Sequence, residues 1–360
     1  MAMTAGMVKD LREMTGAGMM DCKKALTETN GDMDAAVEFL RKSGAAKAEK
    51  KASRIAAEGI TRTAIDGNNA VVVEVNSETD FVAKNETFQT FVEAIAKQAL
   101  SSSAADVEGM MDEKWVEDAS KTVKEVLVEK TATIGEKLSF RRFAKVSGDA
   151  VVSYVHGGGK IGVLVAANGA TGDAVKEALT NVAMQVAAMN PTYISRNEIS
   201  AEELAKEKEI TLESALNDPF SLPKPILGKL IDKAINDNVW SDEDKAIYEE
   251  KKSNMNYLPN FLSDAAKGAL AQLALDDKAN ISADKIFGGL VEGRISKHLK
   301  EICLLDQVYV KAEDGKQSVG KYLESVDKNI VISKFIRFEV GEGMEKKNED
   351  FAAEVAAQLK

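Results

Sequence analysis

Two short stretches hold the residues best equipped for chemistry. In Asn76-Ser77-Glu78-Thr79-Asp80-Phe81-Val82 a carboxylate and a large aromatic stand side by side just after a β-branched run. In His156-Gly157-Gly158-Gly159-Lys160 an imidazole and an ammonium bracket three glycines. A turn that served only the fold would use Gly, Asn or Ser, so an acid beside a phenylalanine points to a protrusion made for a partner. The plainer alternative is that Phe81 tucks under the following helix and Asp80 is a solvated cap. The glycine run invites a phosphate loop, but such a loop needs Ser or Thr after the lysine and a helix opening at once. Here Ile161-Gly162-Val163-Leu164-Val165 continues as a strand instead. No Gly-x-Ser-x-Gly elbow or His-Glu-x-x-His pair occurs, and with 2 histidines an ordinary enzyme is hard to assemble. His156 is by default a surface or contact residue. Cys22 and Cys303 are far apart, and their spacing with His156 and His298 yields neither a zinc site nor a disulfide framework. The expectation is a chain with no metal, no cofactor and no catalytic residues of its own.

The composition narrows the partners. A formal charge of −11 argues against a broad nucleic-acid footprint and favours protein partners. The basic stretch Lys42 to Arg54 is a local exception, but it lacks interleaved aromatics and reads as a solvated helix or a linker. No apolar run is long enough to span a bilayer, and MAMTAGMVKD has neither a secretory nor a transit pattern, so a cytoplasmic protein is expected. At 360 residues and 44% hydrophobic content the chain can form two or three units with real cores.

The elements that must position these residues follow from periodicity. Residues 4 to about 56 read as three short helices. Met7, Val8, Leu11 and Met14 form one stripe, Gly16-Ala17-Gly18 a break, and Asp32 the cap of a helix with Met33, Val37 and Leu40 that stops before Gly44. Met19 and Met20 open the second helix, either facing a partner or filling the core. Val71 to Val75 reads as a buried strand, and Phe88, Phe91, Val92 and Ile95 as a helix packed on it. The hairpin is duplicated: Ala64 to Val73 aligns with Tyr154 to Val163 at a constant offset of 90 residues. Each copy has a following helix, Val175 to Met189 in the second, and a closing strand at Phe140 to Phe143 and Phe335 to Phe338. A capping box at Ser200 and Glu203 opens one arm of a helical hairpin, and Ile286 to Ile302 forms the other. Between them, about 217 to 280 holds Pro219, Pro223, Pro225, Pro259 and Trp240 and reads as an insertion. Phe351, Val355 and Leu359 predict a short terminal helix.

With these modules in place, five stretches together resemble the elongation factor Ts family. They are LREMTGAGMMDCKKAL, NSETDFVAKNETF, VHGGGKIGVLVA, VAAMNPTYIS and FIRFEVGEGMEKKNEDFAAEVAAQ, and their order covers nearly the whole chain. The resemblance implies an α+β protein. Residues 1–56 would be a ubiquitin-associated-like three-helix module, and 57–147 and 148–195 plus 318–343 two duplicated subdomains with antiparallel sheets. Residues 196–317 would be the inserted helical hairpin, of coiled-coil type, and 344–360 a C-terminal helix. It implies a guanine-nucleotide exchange factor, not an enzyme, whose partner is elongation factor Tu in its GDP-bound and nucleotide-free forms. Thr79, Asp80, Phe81 and Val82 would enter the partner near its Mg²⁺ and dislodge it. Leu11, Met19, Met20, Lys23, Ile134 and His156 would make further contacts. It implies no cofactor, no nucleotide held by this chain, no direct nucleic acid and no membrane. The sequence after His156 departs from the family's commoner pattern. The alternatives are a helical adaptor that binds a different GTPase or a ubiquitin-like partner through residues 1 to 56, and a phosphate-binding enzyme using Lys160.

Overall fold

The structure, a computed structural model, describes residues 4–345. The expected C-terminal helix at 344–360 falls almost wholly outside the described residues. The chain divides into two compact units, one running to Asn190 and resuming at Lys321, the other Pro191–Gly320. The protein is mixed α and β with small antiparallel sheets.

The first unit opens with α1 (Ala5–Thr15), α2 (Met19–Glu28) and α3 (Met33–Lys51). Thr4 and Asp32 accept backbone N–H groups at the starts of α1 and α3, supplying partners the first turn lacks. Leu11, Cys22, Ala25, Leu26 and Ala36 close a small core. The stripe on α1 is narrower than its spacing predicts, because Met14 is exposed. The third helix does not stop before Gly44. It runs on to Lys51, because Gly44 is the point where α3 lies against α7 (Val123–Ile134). A Cβ at Gly44 would stand 3.3 Å from the Ala132 methyl, so the missing side chain permits close approach rather than ending the helix. Arg41 pairs with Glu125 across the same seam. Most of the basic stretch Lys42 to Arg54 is thus the second half of α3.

Next come β1 (Glu58–Asp66) and β2 (Asn69–Ser77), joined by a turn in which Gly67 has φ 54°. The chain continues through α4 (Asp80–Ala83), α5 (Glu86–Ser101), α6 (Val107–Met111), β3 (Lys114–Trp115), β4 (Asp118–Thr122) and α7 to β5 (Ser139–Ser147). The strands order β1-β2-β5, all antiparallel. The second sheet repeats the plan: β6 (Ala150–His156), β7 (Ile161–Asn168), then α8 (Asp173–Met189), and finally β8 (Val331–Glu339), ordered β6-β7-β8. Asn190, with φ 45°, closes α8 ahead of Pro191.

Strand β2 explains why its valines run without alternation. Val71, Val73 and Val75 face Phe88, Phe91, Val92 and Ile95 of α5. Ala70 and Val72 face Val151, Leu164, Ala166 and Phe338 of the second sheet. A strand covered on both faces has no solvent side for polar residues. The layers are therefore helix, sheet, sheet, helix, with α8 on the far side of β6 and β7. Thr63 donates to Ser153 at 3.0 Å, so two residues 90 positions apart, equivalent under the duplication, touch one another.

The second unit is mainly helical: α9 (Ala201–Asn217), α10 (Lys224–Asn236), α11 (Asp242–Lys251), α12 (Asp264–Asp276), α13 (Lys278–Ala283) and α14 (Lys285–Ile302). The Ser200 and Glu203 capping box is formed at the start of α9. Residues 217–280 are not a loose addition. Ile226, Leu230, Ile231, Trp240, Leu258 and Leu270 form one core with Leu216 of α9 and Phe287, Val291, Ile295 and Leu299 of α14. The buried Trp240 indole N–H donates to the Ala266 carbonyl at 3.1 Å. The chain then returns to the first unit through α15 (Val319–Val326). Among the described residues no helix is long and apolar enough to cross a membrane.

Candidate functional site

Strand β2 ends at Ser77, whose hydroxyl donates to the Thr79 carbonyl at 3.0 Å and turns the chain out of the sheet. Thr79 is extended, with φ −129°, and its Oγ1 accepts the Val82 N–H at 3.3 Å, which caps the four-residue helix α4. Val82 and Ala83 point inward onto the core beneath α5. Asp80 and Phe81 are thereby turned out. Phe81 is 80% exposed, so it does not tuck under the following helix. One turn of helix cannot sustain itself in water, and its geometry here is set by side chains that the chain brings from elsewhere.

The main one is Glu136. Helix α7 ends at Ile134, and Gly135, with φ 88°, reverses the backbone so that the next side chain leaves the helix axis. The Glu136 carboxylate accepts the N–H of Glu78 at 3.1 Å, the N–H of Thr79 at 3.0 Å and the Thr79 hydroxyl at 2.7 Å. The chain crosses back: Glu78 accepts the Lys137 N–H at 2.6 Å and pairs with Arg54 at 3.3 Å. Sequence reasoning did not find Glu136. Its only signal was a glycine at the end of a helix followed by an acid.

Asp80 pairs with Lys84 at 2.7 Å, one turn along. That hydrogen bond holds its carboxyl below the ordinary aspartate range, and the charge of Lys160 adds to the effect. The Thr79–Val82 turn and the glycine turn both lie against β1. The glycines at 157–159 have φ values of 58°, 69° and 112°. A Cβ on Gly159 would lie 2.7 Å from the Arg62 guanidinium and 2.9 Å from Ile60. Their carbonyls are also engaged, Gly159 accepting the Thr61 hydroxyl at 2.9 Å and Gly158 an Arg62 N–H. Gly159 serves close packing on β1, and the turn leads into strand β7 rather than opening an α-helix, which does not fit a phosphate loop. His156 is exposed at the end of β6, with its Nδ1 2.9 Å from the Tyr154 hydroxyl. Among the described residues no cluster of three or more His, Cys, Asp or Glu could hold a metal.

The remaining expected contacts divide. Met19 and Met20 are 60% and 74% exposed at the start of α2, so neither fills the core, and Lys23 is exposed one turn along. They lie on the helical module, away from the Thr79–Val82 turn in the chain. Ile134 is half-buried at the end of the helix that delivers Glu136. Leu11 needs correction as a contact residue. It is fully buried among Cys22, Ala25, Leu26 and Ala36, where it joins the three helices of the module and offers no surface.

A family model for elongation factor TS matches residues 78–342. The chain is 44% identical over 363 residues to elongation factor Ts of Clostridioides difficile (strain 630), covering 99% of this chain and 99% of that protein. The family-model match begins just after β2 and takes in β5, the second sheet and the helical unit.

Proposed function

The chain belongs to the elongation factor Ts family and is a translation elongation factor; from that premise we propose that it binds GDP-bound elongation factor Tu and speeds release of the nucleotide. The observation that carries this reading is the exposed Phe81 on a turn fixed by hydrogen bonds on both sides. An apolar ring held in water gains free energy only when a partner covers it. In this reading Thr79-Asp80-Phe81-Val82 enters the partner beside its bound Mg²⁺. Phe81 separates elements that hold the cation, and Asp80, kept ionised by Lys84, brings negative charge to the same place. Loss of the cation leaves the diphosphate without charge neutralisation, and the nucleotide leaves.

Magnitudes argue for a distributed interface. Weakening nucleotide binding a thousandfold requires about 4 kcal/mol of coupling. Burying one phenyl supplies about 1.5 to 3 kcal/mol. Met19, Met20, Lys23, Ile134 and His156 are the further contacts proposed to supply the rest, holding the partner in its nucleotide-free form. Coupling is reciprocal, so GDP or GTP drives this chain off the partner as strongly as the chain drives off nucleotide. The chain itself holds no nucleotide in this reading, performs no covalent step and acts in the cytoplasm.

The test is stopped-flow release of a fluorescent GDP from elongation factor Tu, with the intact chain and with Asp80 and Phe81 both changed to Ala. Strong acceleration that the double change abolishes is expected. An intact, folded chain that leaves the release rate unchanged would refute the proposal.

A further inference from the structure

We propose that Glu136 is the positioning residue of the wedge, fixing the orientation in which Phe81 is presented; this rests on the exchange reading above. Helix α4 has four residues, too few to hold their own geometry, and its leading N–H groups have no partners within the helix. Its single cap is the Thr79 hydroxyl. A hydroxyl has one proton to give, and Oγ1 is free to face the Val82 N–H only when that proton is directed elsewhere. Glu136 takes it at 2.7 Å, which selects the rotamer that caps α4. The other Glu136 oxygen accepts the two preceding backbone N–H groups, fixing the peptide planes that lead into the turn. The carboxylate therefore acts through Thr79 on a ring that it does not touch.

The surroundings are built to hold Glu136 in place. Gly135 lies in the left-handed region with open space about its Cα, so α7 ends at one fixed residue. Glu78 returns the interaction by accepting the Lys137 N–H, and Lys137 Nζ donates to the Arg54 carbonyl at 2.8 Å. Arg54 lies just past the end of α3, so the clamp also ties the turn to the exit of the helical module.

The experiment uses the full chain with Glu136→Ala, Glu136→Gln, Thr79→Val and, as control, Phe81→Ala. Two quantities are read: the maximal rate of GDP release at saturating chain, and the affinity for nucleotide-free elongation factor Tu. Glu136→Ala is expected to lower the maximal rate about tenfold or more, since three donors lose a charged acceptor, while affinity stays within about threefold. Glu136→Gln keeps one oxygen for the two backbone N–H groups but sets an N–H donor where the Thr79 hydroxyl needs an acceptor, and is expected to recover only part of the rate. Thr79→Val, which retains the volume, is expected to match Glu136→Ala. Hydrogen exchange at the Glu78, Thr79 and Val82 amides is expected to quicken in Glu136→Ala, with α5 unchanged. Faster amide exchange with an intact maximal rate would overturn the inference, as would equal loss of rate and affinity. Should Glu136→Ala fail to fold, Thr79→Val and Glu136→Gln decide the matter by the same criteria. A Phe81→Ala protein that releases GDP normally would instead overturn the wedge reading itself.

Discussion

Phe81 and Phe88 lie seven positions apart, and truncating each to Ala should have opposite effects. Phe88 is fully buried between α5 and the first sheet, whereas Phe81 is 80% exposed. Phe88→Ala empties a core site and is expected to cost about 3 to 5 kcal/mol of stability. Phe81→Ala removes no contact made on folding, so stability should stay within about 0.5 kcal/mol. Its effect should appear in exchange. Burial of the ring in the partner is worth about 1.5 to 3 kcal/mol. At about 1.4 kcal/mol per decade that corresponds to between about tenfold and a hundredfold in the rate of GDP release. The full amount is felt in the rate only where the ring is buried more completely in the transition state for release than in the initial complex. Because a thousandfold effect needs about 4 kcal/mol, the variant should retain measurable acceleration. Stopped-flow release at saturating chain, binding to nucleotide-free elongation factor Tu and thermal melting together make the assay. Equal losses of release rate and nucleotide-free affinity would refute the wedge. Destabilisation of Phe81→Ala comparable to that of Phe88→Ala would refute the structural assignment beneath it.

Two further outcomes follow from the packing. Glu74 is fully buried; burial alone would raise its carboxyl, but the Gly341 N–H and the Arg142 and Arg141 guanidinia outweigh it and hold it below the usual glutamate range. A folded value below the unfolded one, about 4.3, contributes stability that is present above that pH and lost as pH falls through the lowered folded value. Glu74→Gln should therefore cost about 3 to 5 kcal/mol near neutrality, with a shrinking difference from the parent in melts taken toward about pH 3; a pH-independent difference would refute the linkage. Deleting 217–280 and rejoining α9 to α14 should produce a protein that aggregates, because Leu216, Phe287, Val291, Ile295 and Leu299 lose their cover. With those positions changed to polar residues the deletion should exchange GDP within a few-fold of the parent, and collapse of exchange in a folded, monodisperse protein of this kind would assign that segment a direct role.

What the sequence disclosed, and what it withheld, divides along the range of the interactions. The duplicated hairpins were legible because each is local: β-branched runs, a glycine turn and a following helix at 3.6-residue spacing. Strand β2 was legible for the same reason, since burial on both faces leaves a continuous apolar run. Gly44 misled because one residue type serves two ends, stopping a helix or allowing another to approach, and only the presence of Ala132 tells which. The prolines of 217–280 signalled a change of texture correctly, yet Pro219, Pro225 and Pro259 stand in the first turn of helices, where they start elements of a shared core. The wedge was visible as an odd pair of residues in a turn. Its exposure was not, because a single helical turn has no periodicity from which to read a face. Glu136 was hidden altogether, its partners lying 57 and 58 positions away. Leu11 shows the reverse: its apolar spacing marked it as core before the resemblance assigned it a contact.

The clamp on the wedge has an energetic reason beyond geometry. Four residues ordered only on meeting the partner would cost about 1 to 2 kcal/mol each in backbone freedom. That total, about 4 to 8 kcal/mol, equals or exceeds the coupling needed to weaken nucleotide binding a thousandfold. A mobile Phe81 would spend its burial free energy on ordering its own turn, leaving little to distort the nucleotide site. Fixing the turn during folding moves that cost to the sheet and to α7, whose cores are closed whether or not a partner is present. On this argument the hydrogen bonds from Glu78 and Thr79 to Glu136 matter less for the stability of the chain than for where the free energy of the Phe81 contact is delivered. Stiffness of the turn, measured as amide protection at Thr79 and Val82, should therefore track the maximal exchange rate across variants more closely than melting temperature does. A series in which rate follows melting temperature and ignores local protection would show that the clamp is only structural.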